Sequence, residues 1–207
     1  YKPKDIVSGD FYWMEQVGSQ NFVAAVDCTG HGVPGAFMSI VGYNLLNQAV
    51  NERGIYEPAK ILDEMNNGLS KQLRQQGDSM TVRDGMDLSL CSYDTQTKVL
   101  RYAGANNSLW FIRNNELNIV KADKCPIGTY VGEALKSFTN HTIQLQEGDL
   151  IYLFTDGYAD QFGGKDGKKF KYKQLQQVIL EMNDKQMDVQ LQVLENTINN
   201  WRGDLEQ

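Results

Sequence analysis

Three aspartates stand beside apolar or aromatic segments, in positions where carboxylates can bind metal ions. They are Asp10, before the aromatic residues 11–13, Asp27, after the apolar residues 22–26, and Asp156, after the apolar residues 150–154. Aspartate is disfavoured in strands and is costly to bury alone, so a carboxylate at the end of a central strand usually has partners. Oxygen-only ligand clusters favour Mg²⁺ or Mn²⁺. The alternative, three turn or capping aspartates, stays open because Asp-Gly is also a common turn.

A glycine-rich segment, residues 30–35, separates Asp27 from the next predicted helix and matches the pattern G-x-G-x-x-G. This pattern also occurs in dinucleotide-binding folds. Two features disfavour that interpretation. Residues 27–29 intervene between the strand and the glycines, so that the anionic Asp27 would face a pyrophosphate. The element after the first helix is a second helix, so no second parallel strand presents an acid to the ribose.

Other familiar site chemistries find little support in the sequence. The chain has no G-x-x-x-x-G-K-[ST] loop, and its two histidines, His31 and His141, lack the spacing of zinc ligands. His31, in the glycine turn, could protonate a leaving alkoxide or simply bond the start of the helix, and both interpretations stay open. His141 lies in an alternating segment, so we expect it to be exposed.

Apolar periodicity predicts strands, then two consecutive helices, many strands, and two closing helices. The predicted strands are residues 21–26, 86–93, 99–103, 109–112, 117–120, 138–145 and 150–154, and the predicted helices lie between Pro34 and Gly54, between Pro58 and Gly77, and at residues 173–181 and 189–201. This order differs from the strand–helix alternation of a doubly wound parallel sheet. It favours an α+β fold in which antiparallel sheets are flanked by helices.

Composition limits the kinds of partner. The 207 residues suffice for one domain, which we assign to residues 1–207, and the net charge of −6 disfavours nucleic acid and anionic membranes as partners. No apolar run approaches the length of a membrane span. The three cysteines form no C-x-x-C pair, which favours a reducing compartment. The chain does not begin with methionine, so we expect a fragment of a larger protein.

Five segments, in order along the chain, resemble the bacterial PP2C-type serine phosphatases of the sporulation stage II E and sigma-regulator class. They are residues 9–12 (GDFY), 27–38 (DCTGHGVPGAFM), 102–107 (YAGANN), 126–128 (PIG) and 154–158 (FTDGY). The turn Asp-x-[ST]-Gly-His-Gly, followed later by an apolar residue and [ST]-Asp-Gly, is specific to this class.

The resemblance implies a PP2C-like αββα sandwich, with two antiparallel sheets flanked by helices, and two Mn²⁺ or Mg²⁺ ions. By similarity, Asp27 bridges both ions, Asp10 and the Cys28 carbonyl belong to one shell, and Asp156 belongs to the other. Asp87 is a candidate for an additional weak metal site, and a plain turn role for Asp84 and Asp87 stays open. The family's terminal strand, with its acidic pair, would begin where this sequence stops, so we expect that strand to be missing.

The resemblance also implies an activity and a setting. We expect a Mn²⁺- or Mg²⁺-dependent phosphoprotein phosphatase in which Asp10, Asp27 and Asp156 are catalytic. The expected substrate is a phosphorylated protein such as an anti-sigma-factor antagonist, and the expected regulator is a sensor domain in the same chain. Homodimer formation is left open. The expected location is the cytoplasm, including the cytoplasmic part of a membrane-anchored sensor. The alternative is a non-catalytic regulatory or phosphoprotein-binding domain with the same fold.

Overall fold

The structure, a computed structural model, describes residues 1–3, 6–30, 32–74, 85–128 and 137–206. In chain order its elements are β1 (Phe11–Val17), β2 (Gln20–Cys28), α1 (Gly32–Asn47), a π-helical segment (Gln48–Glu52), α2 (Pro58–Arg74), β3 (Gly85–Asp94), β4 (Val99–Ala105), β5 (Leu109–Arg113), β6 (Glu116–Val120), β7 (Ile127–Gly128), β8 (His141–Gln144), β9 (Leu150–Tyr152), α3 (Gly157–Asp160), β10 (Phe162–Gly163), β11 (Lys168–Lys169), α4 (Tyr172–Met182) and α5 (Met187–Arg202). None of these helices is long and apolar enough to cross a membrane.

The chain divides into two compact units. The first unit comprises Tyr1–Leu109, Val120–Glu147 and Leu153–Thr155, and the second comprises Trp110–Ile119, Gly148–Tyr152 and Asp156–Gln207. The antiparallel sheets and helices agree with the α+β fold expected from the sequence. The assignment of residues 1–207 to one domain stays a prediction.

An antiparallel sheet of order β1-β2-β3-β4-β8 forms the centre of the first unit, and β7 pairs with β3. Strand β2 forms because its residues alternate between the two faces of the sheet. Phe22, Ala24, Val26 and Cys28 are buried, whereas the residues between them are only half-buried. The predicted strand at residues 21–26 is therefore confirmed, and pairing extends it to Cys28.

Helices α1 and α2 pack on this sheet and complete the hydrophobic core of the first unit. The predicted apolar face of α2 is buried at Ile61, Leu62, Met65 and Leu69. The predicted face of α1 was partly wrong, because Phe37 is 65% exposed and Ile40 is 57% exposed. Helix α1 is apolar around most of its circumference. Periodicity therefore could not identify the side that faces the core.

The second unit contains the sheet β6-β5-β9, the hairpin β10-β11 and the helices α3, α4 and α5. The predicted turn between β5 and β6 is confirmed, since Asn114 and Asn115 have φ values of 52° and 63°. An aromatic cluster holds this unit together: Phe170 makes T-shaped contacts with Tyr158 and Trp201, each at 5.4 Å between ring centroids.

Two strands are shorter than their apolar patterns suggested. Strand β9 ends at Tyr152, because its partner β5 pairs with it only over Trp110–Ile112. Strand β8 is limited to His141–Gln144 by its pairing with Val99–Tyr102. Strand ends are set by partners distant in sequence, which local periodicity does not report. As a consequence, Asp156 follows no strand directly and instead precedes α3.

Candidate functional site

Two carboxylates oppose each other in the central sheet of the first unit. Asp27 is the penultimate residue of strand β2 and pairs in register with Asp87 of β3. Both residues are half-buried. Directly opposed residues of an antiparallel pair share one face, with Cβ atoms about 5 Å apart, and like charges there are destabilising. The Nδ2 atom of Asn106 donates to Asp87 Oδ1 at 2.8 Å. Two carboxylates on one face of the sheet offer oxygen donors of the kind that divalent cations prefer.

Asp10 is held in place just before β1. Its amide donates to Ser8 Oγ at 3.0 Å, and the hydroxyl of Thr155 donates to its Oδ2 at 2.7 Å. The hydroxyl of Tyr1 donates to the Asp10 carbonyl at 2.8 Å. Backbone and carboxylate are therefore both fixed, so Asp10 has a defined direction as a ligand.

Glycines let three stretches of backbone approach one another beside these carboxylates. A Cβ on Gly9 would lie 2.9 Å from the Cys28 carbonyl oxygen and 3.0 Å from that of Gly30. A Cβ on Gly35 would lie 2.5 Å from the Gly30 oxygen. Any side chain at either position would displace the loop. The loop carrying the Cys28 carbonyl is thus packed against the residue that precedes Asp10.

The ends of β2 and β3 are joined by Thr29 and Gly85. The amide of Thr29 donates to the Gly85 carbonyl at 2.9 Å, and its hydroxyl donates to the same oxygen at 3.0 Å. The Gly85 amide donates in turn to Thr29 Oγ1 at 3.2 Å. These bonds fix the backbone just beyond the Asp27–Asp87 pair.

The thiol of Cys28 is buried among these acids. Burial, and then the negative charges of Asp27 and Asp10, raise its pKa from 9.0 to about 12. The thiol is therefore protonated at neutral pH and is a poor nucleophile. Only its backbone carbonyl is suited to a role as a ligand.

The donor set matches the chemistry of a hard divalent cation. The carboxylates of Asp10, Asp27 and Asp87 and the carbonyl of Cys28 are all oxygen donors, which Mg²⁺ and Mn²⁺ prefer. Within the described part of the chain, no group of three or more His, Cys, Asp or Glu side chains is gathered closely enough to hold a metal ion. The fit to a divalent cation therefore rests on the Asp27–Asp87 pair, on Asp10 and on the backbone carbonyl of Cys28.

The remaining predicted residues are placed as follows. Asp156 belongs to the second unit, where it is exposed and its carbonyl accepts the Asp160 amide at 2.9 Å at the start of α3. His31 and Asp84 lie outside the described residues. His141 was expected to be exposed but is half-buried, with its ring centroid 5.8 Å from that of Tyr102. It lies opposite Tyr102 in the sheet, which covers part of the imidazole.

Sequence reasoning assigned no role to Thr155 or Asn106, which contact the carboxylates of Asp10 and Asp87. Both lie inside the segments that carry the family resemblance, residues 154–158 and 102–107. Asn106 adopts a left-handed backbone with a φ of 58° at the end of β4, which aims its side chain at the neighbouring strand. Their position inside those segments was the sequence signal that could have identified Thr155 and Asn106 as site residues.

Comparisons with known proteins agree with this architecture. The SiaA-PP2C domain of Pseudomonas aeruginosa is 29% identical, with a TM-score of 0.89 over 100% of this chain and 79% of that chain. The SpoIIE phosphatase domain with a fragment of its regulatory domain, from Bacillus subtilis, is 21% identical, with a TM-score of 0.77 over 99% of this chain and 57% of that chain. RsbX in complex with magnesium is 14% identical, with a TM-score of 0.61 over 97% of this chain and 82% of that chain.

The fold is therefore that of PP2C phosphatase domains. A comparison with curated protein sequences gave no match. The family model of stage II sporulation protein E matches residues 18–206. These residues include the opposed carboxylates, the glycine loop and Asp156, and the chain belongs to the stage II sporulation protein E (SpoIIE) family.

Proposed function

We propose that this chain is a metal-dependent phosphatase that hydrolyses phosphoserine or phosphothreonine on a regulatory protein. The observation that carries the proposal is the direct opposition of Asp27 and Asp87 beside Asp10 and the Cys28 carbonyl. Such an arrangement binds a divalent cation far better than it binds an anionic substrate directly. Membership of a family with PP2C phosphatase domains supports the same activity.

In this proposal Asp10, Asp27, Asp156 and the Cys28 carbonyl would hold two Mn²⁺ or Mg²⁺ ions, and Asp87 would contribute to an additional weaker site. When bound, the ions would supply Lewis acidity to a water molecule and to the phosphoryl oxygens. Thr155 holds one oxygen of Asp10, so that the other is free to turn to a cation. Asn106 likewise orients the carboxylate of Asp87 by donating to its Oδ1.

A phosphorylated cysteine intermediate is not part of the proposal. Nucleophilic catalysis by a thiol needs the thiolate, and Cys28 keeps its proton because burial and the adjacent carboxylates raise its pKa to about 12. The proposal therefore takes a water molecule as the nucleophile. No side chain has to be regenerated after each turnover.

Substrate and setting are proposed from the family. A phosphorylated regulator, such as an anti-sigma-factor antagonist, is the proposed substrate, and a sensor domain in the same chain is the proposed regulator. A cytoplasmic location accords with a protein whose substrates are regulatory phosphoproteins. The net charge of −6 makes nucleic acid an unfavourable partner.

The test is the substitution Asp27→Asn. It removes a charge from the opposed pair with little change in volume, so the fold should persist while kcat/KM for a phosphoserine peptide with Mn²⁺ falls at least about a hundredfold, the scale of one lost Lewis-acid contact. Asp94→Asn is the matched control, because Asp94 ends β3 on the same sheet, where its Oδ1 accepts the Gln96 and Thr97 amides.

Circular dichroism establishes that both variants are folded. Near-normal turnover by Asp27→Asn would refute the proposal, as would full activity of the unaltered protein in EDTA. A protein that binds the phosphopeptide but shows no turnover with either Mn²⁺ or Mg²⁺ would instead be a phosphoprotein-binding domain.

A further inference from the structure

The second unit carries a concentrated positive charge on an otherwise acidic chain. Residues 165–173, the lysine segment, contain five lysines and one aspartate, whereas the whole chain has a net charge of −6. The segment covers the tip of the hairpin β10-β11, strand β11 itself and the start of α4. All five lysines are exposed.

Two of these lysines are neutralised locally and three are not. Lys168 pairs with Asp166 at 3.0 Å, and Lys169 pairs with Asp160 at 2.5 Å. Among the described residues, no acidic side chain forms an ion pair with Lys165, Lys171 or Lys173. These three cations are therefore available to an external anion.

The segment is held rigidly by the rest of the second unit. The Gly164 amide donates to the Trp201 carbonyl at 2.7 Å, and a Cβ on Gly163 would lie 2.1 Å from that oxygen. Phe170 packs between Tyr158 and Trp201, and its amide donates to the Gln161 carbonyl at 2.9 Å. A rigid scaffold lowers the entropy lost when a partner docks on the lysines.

Lys171 occupies a backbone conformation that is almost restricted to glycine. Its φ is 72° and its ψ is 149° at the N-cap of α4. A side chain in this region is strained, and such strain persists where the surroundings enforce it, often at sites of function. Here glycine would fit the backbone better, whereas lysine adds an exposed charge. The presence of lysine at this strained position favours a binding role for its ammonium group.

The same backbone brings the lysine segment close to Asp156. The Lys171 amide donates to the Ala159 carbonyl at 2.6 Å, and Asp156 precedes the helix α3 that contains Ala159. Asp156 and Ala159 are three residues apart, which corresponds to about 4.5 Å along the axis of a helix. A partner whose phosphorylated residue reached Asp156 would thus present its flanking residues to the lysines.

We propose that the lysine segment is a docking surface for acidic residues that flank the phosphorylation site of a protein substrate. The proposal rests on the phosphatase function proposed above and adds a substrate class to it. Charge complementarity selects this partner: three free cations attract an acidic peptide, while the remainder of the acidic chain repels extended anions such as nucleic acid or a vesicle surface. The exposed rings of Phe162 and Tyr172 flank the lysines and add apolar contact.

The test compares two short fluorescent peptides, each with a central phosphoserine, one flanked by aspartates and one by alanines. Binding is measured by anisotropy in the presence of Mn²⁺, with the phosphoserine of both peptides replaced by its non-hydrolysable phosphonate analogue so that no turnover occurs. We expect the unaltered protein to prefer the acidic peptide, and the triple variant Lys165→Gln, Lys171→Gln, Lys173→Gln to lose about tenfold in affinity for it at low salt, as three exposed ion pairs would predict. Binding of the alanine peptide should be unchanged.

The matched control is Lys71→Gln, Lys98→Gln, Lys121→Gln, which alters three exposed lysines of the first unit and changes the net charge equally. Equal losses in both triple variants would overturn the proposal, because only the overall charge would then matter. The absence of an acidic preference in the unaltered protein would overturn it too. Tighter binding to single-stranded DNA or to anionic phosphatidylserine vesicles than to the acidic peptide would also overturn it.

Hydrolysis of p-nitrophenyl phosphate with Mn²⁺ separates this proposal from the proposed function. The lysine variants should hydrolyse this small ester normally. If the unaltered protein failed to hydrolyse it at all, the phosphatase function would be refuted, while the binding assay would still test the docking surface.

Lys171→Gly should raise the Tm by a few degrees by relieving strain, and weaken acidic peptide binding about twofold. A lower Tm with unchanged binding would overturn the role of Lys171.

Discussion

At the scale of single residues, the candidate site is defined by groups that hold carboxylates in position. Asp10 and Asp87 each accept one hydrogen bond from a neutral side chain, from Thr155 and Asn106 respectively. A neutral donor orients a carboxylate without neutralising its charge. Residues of this kind commonly change metal affinity by about ten- to a hundredfold when altered.

Thr155→Val tests the positioning role of Thr155. Valine keeps the shape but removes the donor at 2.7 Å from Asp10, so we expect the concentration of Mn²⁺ needed for half-maximal activity to rise about tenfold, with a smaller change in kcat at saturating metal. Metal titration of the phosphatase activity measures this directly. Thr155→Ser, which keeps the hydroxyl, should restore the metal response. A loss of kcat that saturating metal does not repair would contradict the positioning role.

At the scale of elements, the connection between β2 and α1 decides the geometry of the site. The loop turns at Gly30 and Gly32, with φ values of 92° and 63°, and brings the Gly30 carbonyl against Gly35 in the first turn of α1. The start of α1, the Cys28 carbonyl and Gly9 are consequently one packed group. A displacement of α1 would move these backbone atoms relative to Asp27.

Gly35→Ala should therefore impair both stability and activity. Its Cβ would lie 2.5 Å from a backbone oxygen that cannot move alone, and overpacking of this kind costs about 1–3 kcal/mol. Chemical denaturation and metal-dependent hydrolysis measure the two effects.

Gly42→Ala is the control for Gly35→Ala, because Gly42 lies in the same helix and gains the same helix propensity. The atoms nearest to its Cβ would belong to the side chains of Met86 and Phe11, at 3.1 and 3.2 Å, and not to the backbone. These side chains can shift, so Gly42→Ala should be nearly neutral. Similar losses in both variants would show that alanine in α1 is harmful irrespective of the loop.

At the scale of the whole molecule, buried acidic groups make stability depend on alkaline pH. Burial raises the pKa of the Cys91 thiol above its ordinary value of 9.0, and it raises the pKa of the Tyr158 hydroxyl from 10.0 to about 12. The unfolded chain loses these protons at lower pH than the folded chain. Above pH 9 the unfolded state therefore binds fewer protons, and the free energy of unfolding falls as pH rises.

Cys91→Ala isolates one part of this dependence. We expect the unaltered protein to lose about 1 kcal/mol of stability per pH unit through Cys91 between about pH 9 and 11, in addition to the contributions of other groups. The variant should be less stable at pH 8, because a cavity is created in the core, but should lose stability more gradually with increasing pH. Urea denaturation at several pH values provides the comparison. Parallel curves for the two proteins would contradict the assignment to Cys91.

Much of the architecture was predictable because it depends on local patterns. The alternation in residues 86–93 and the Asn114–Asn115 turn led to correct predictions of β3 and the β5-β6 hairpin. The aspartates stand out in the sequence because aspartate is disfavoured in strands and costly to bury alone. The role proposed for them, by contrast, came from the family resemblance, since Asp-Gly turns gave an equally plausible local explanation.

What the sequence determined by itself was the order of elements, the acidic character of the chain and the types of residue offered to a site. Tertiary structure alone decided that Asp27 faces Asp87, that Thr155 bonds Asp10 over a separation of 145 residues, and that Lys171 adopts a strained backbone near α3. It also decided which side of α1 is buried. The physical reason is that strand register, close glycine contacts and side-chain partners depend on atoms far apart in sequence, whereas periodicity reports only on neighbours along the chain.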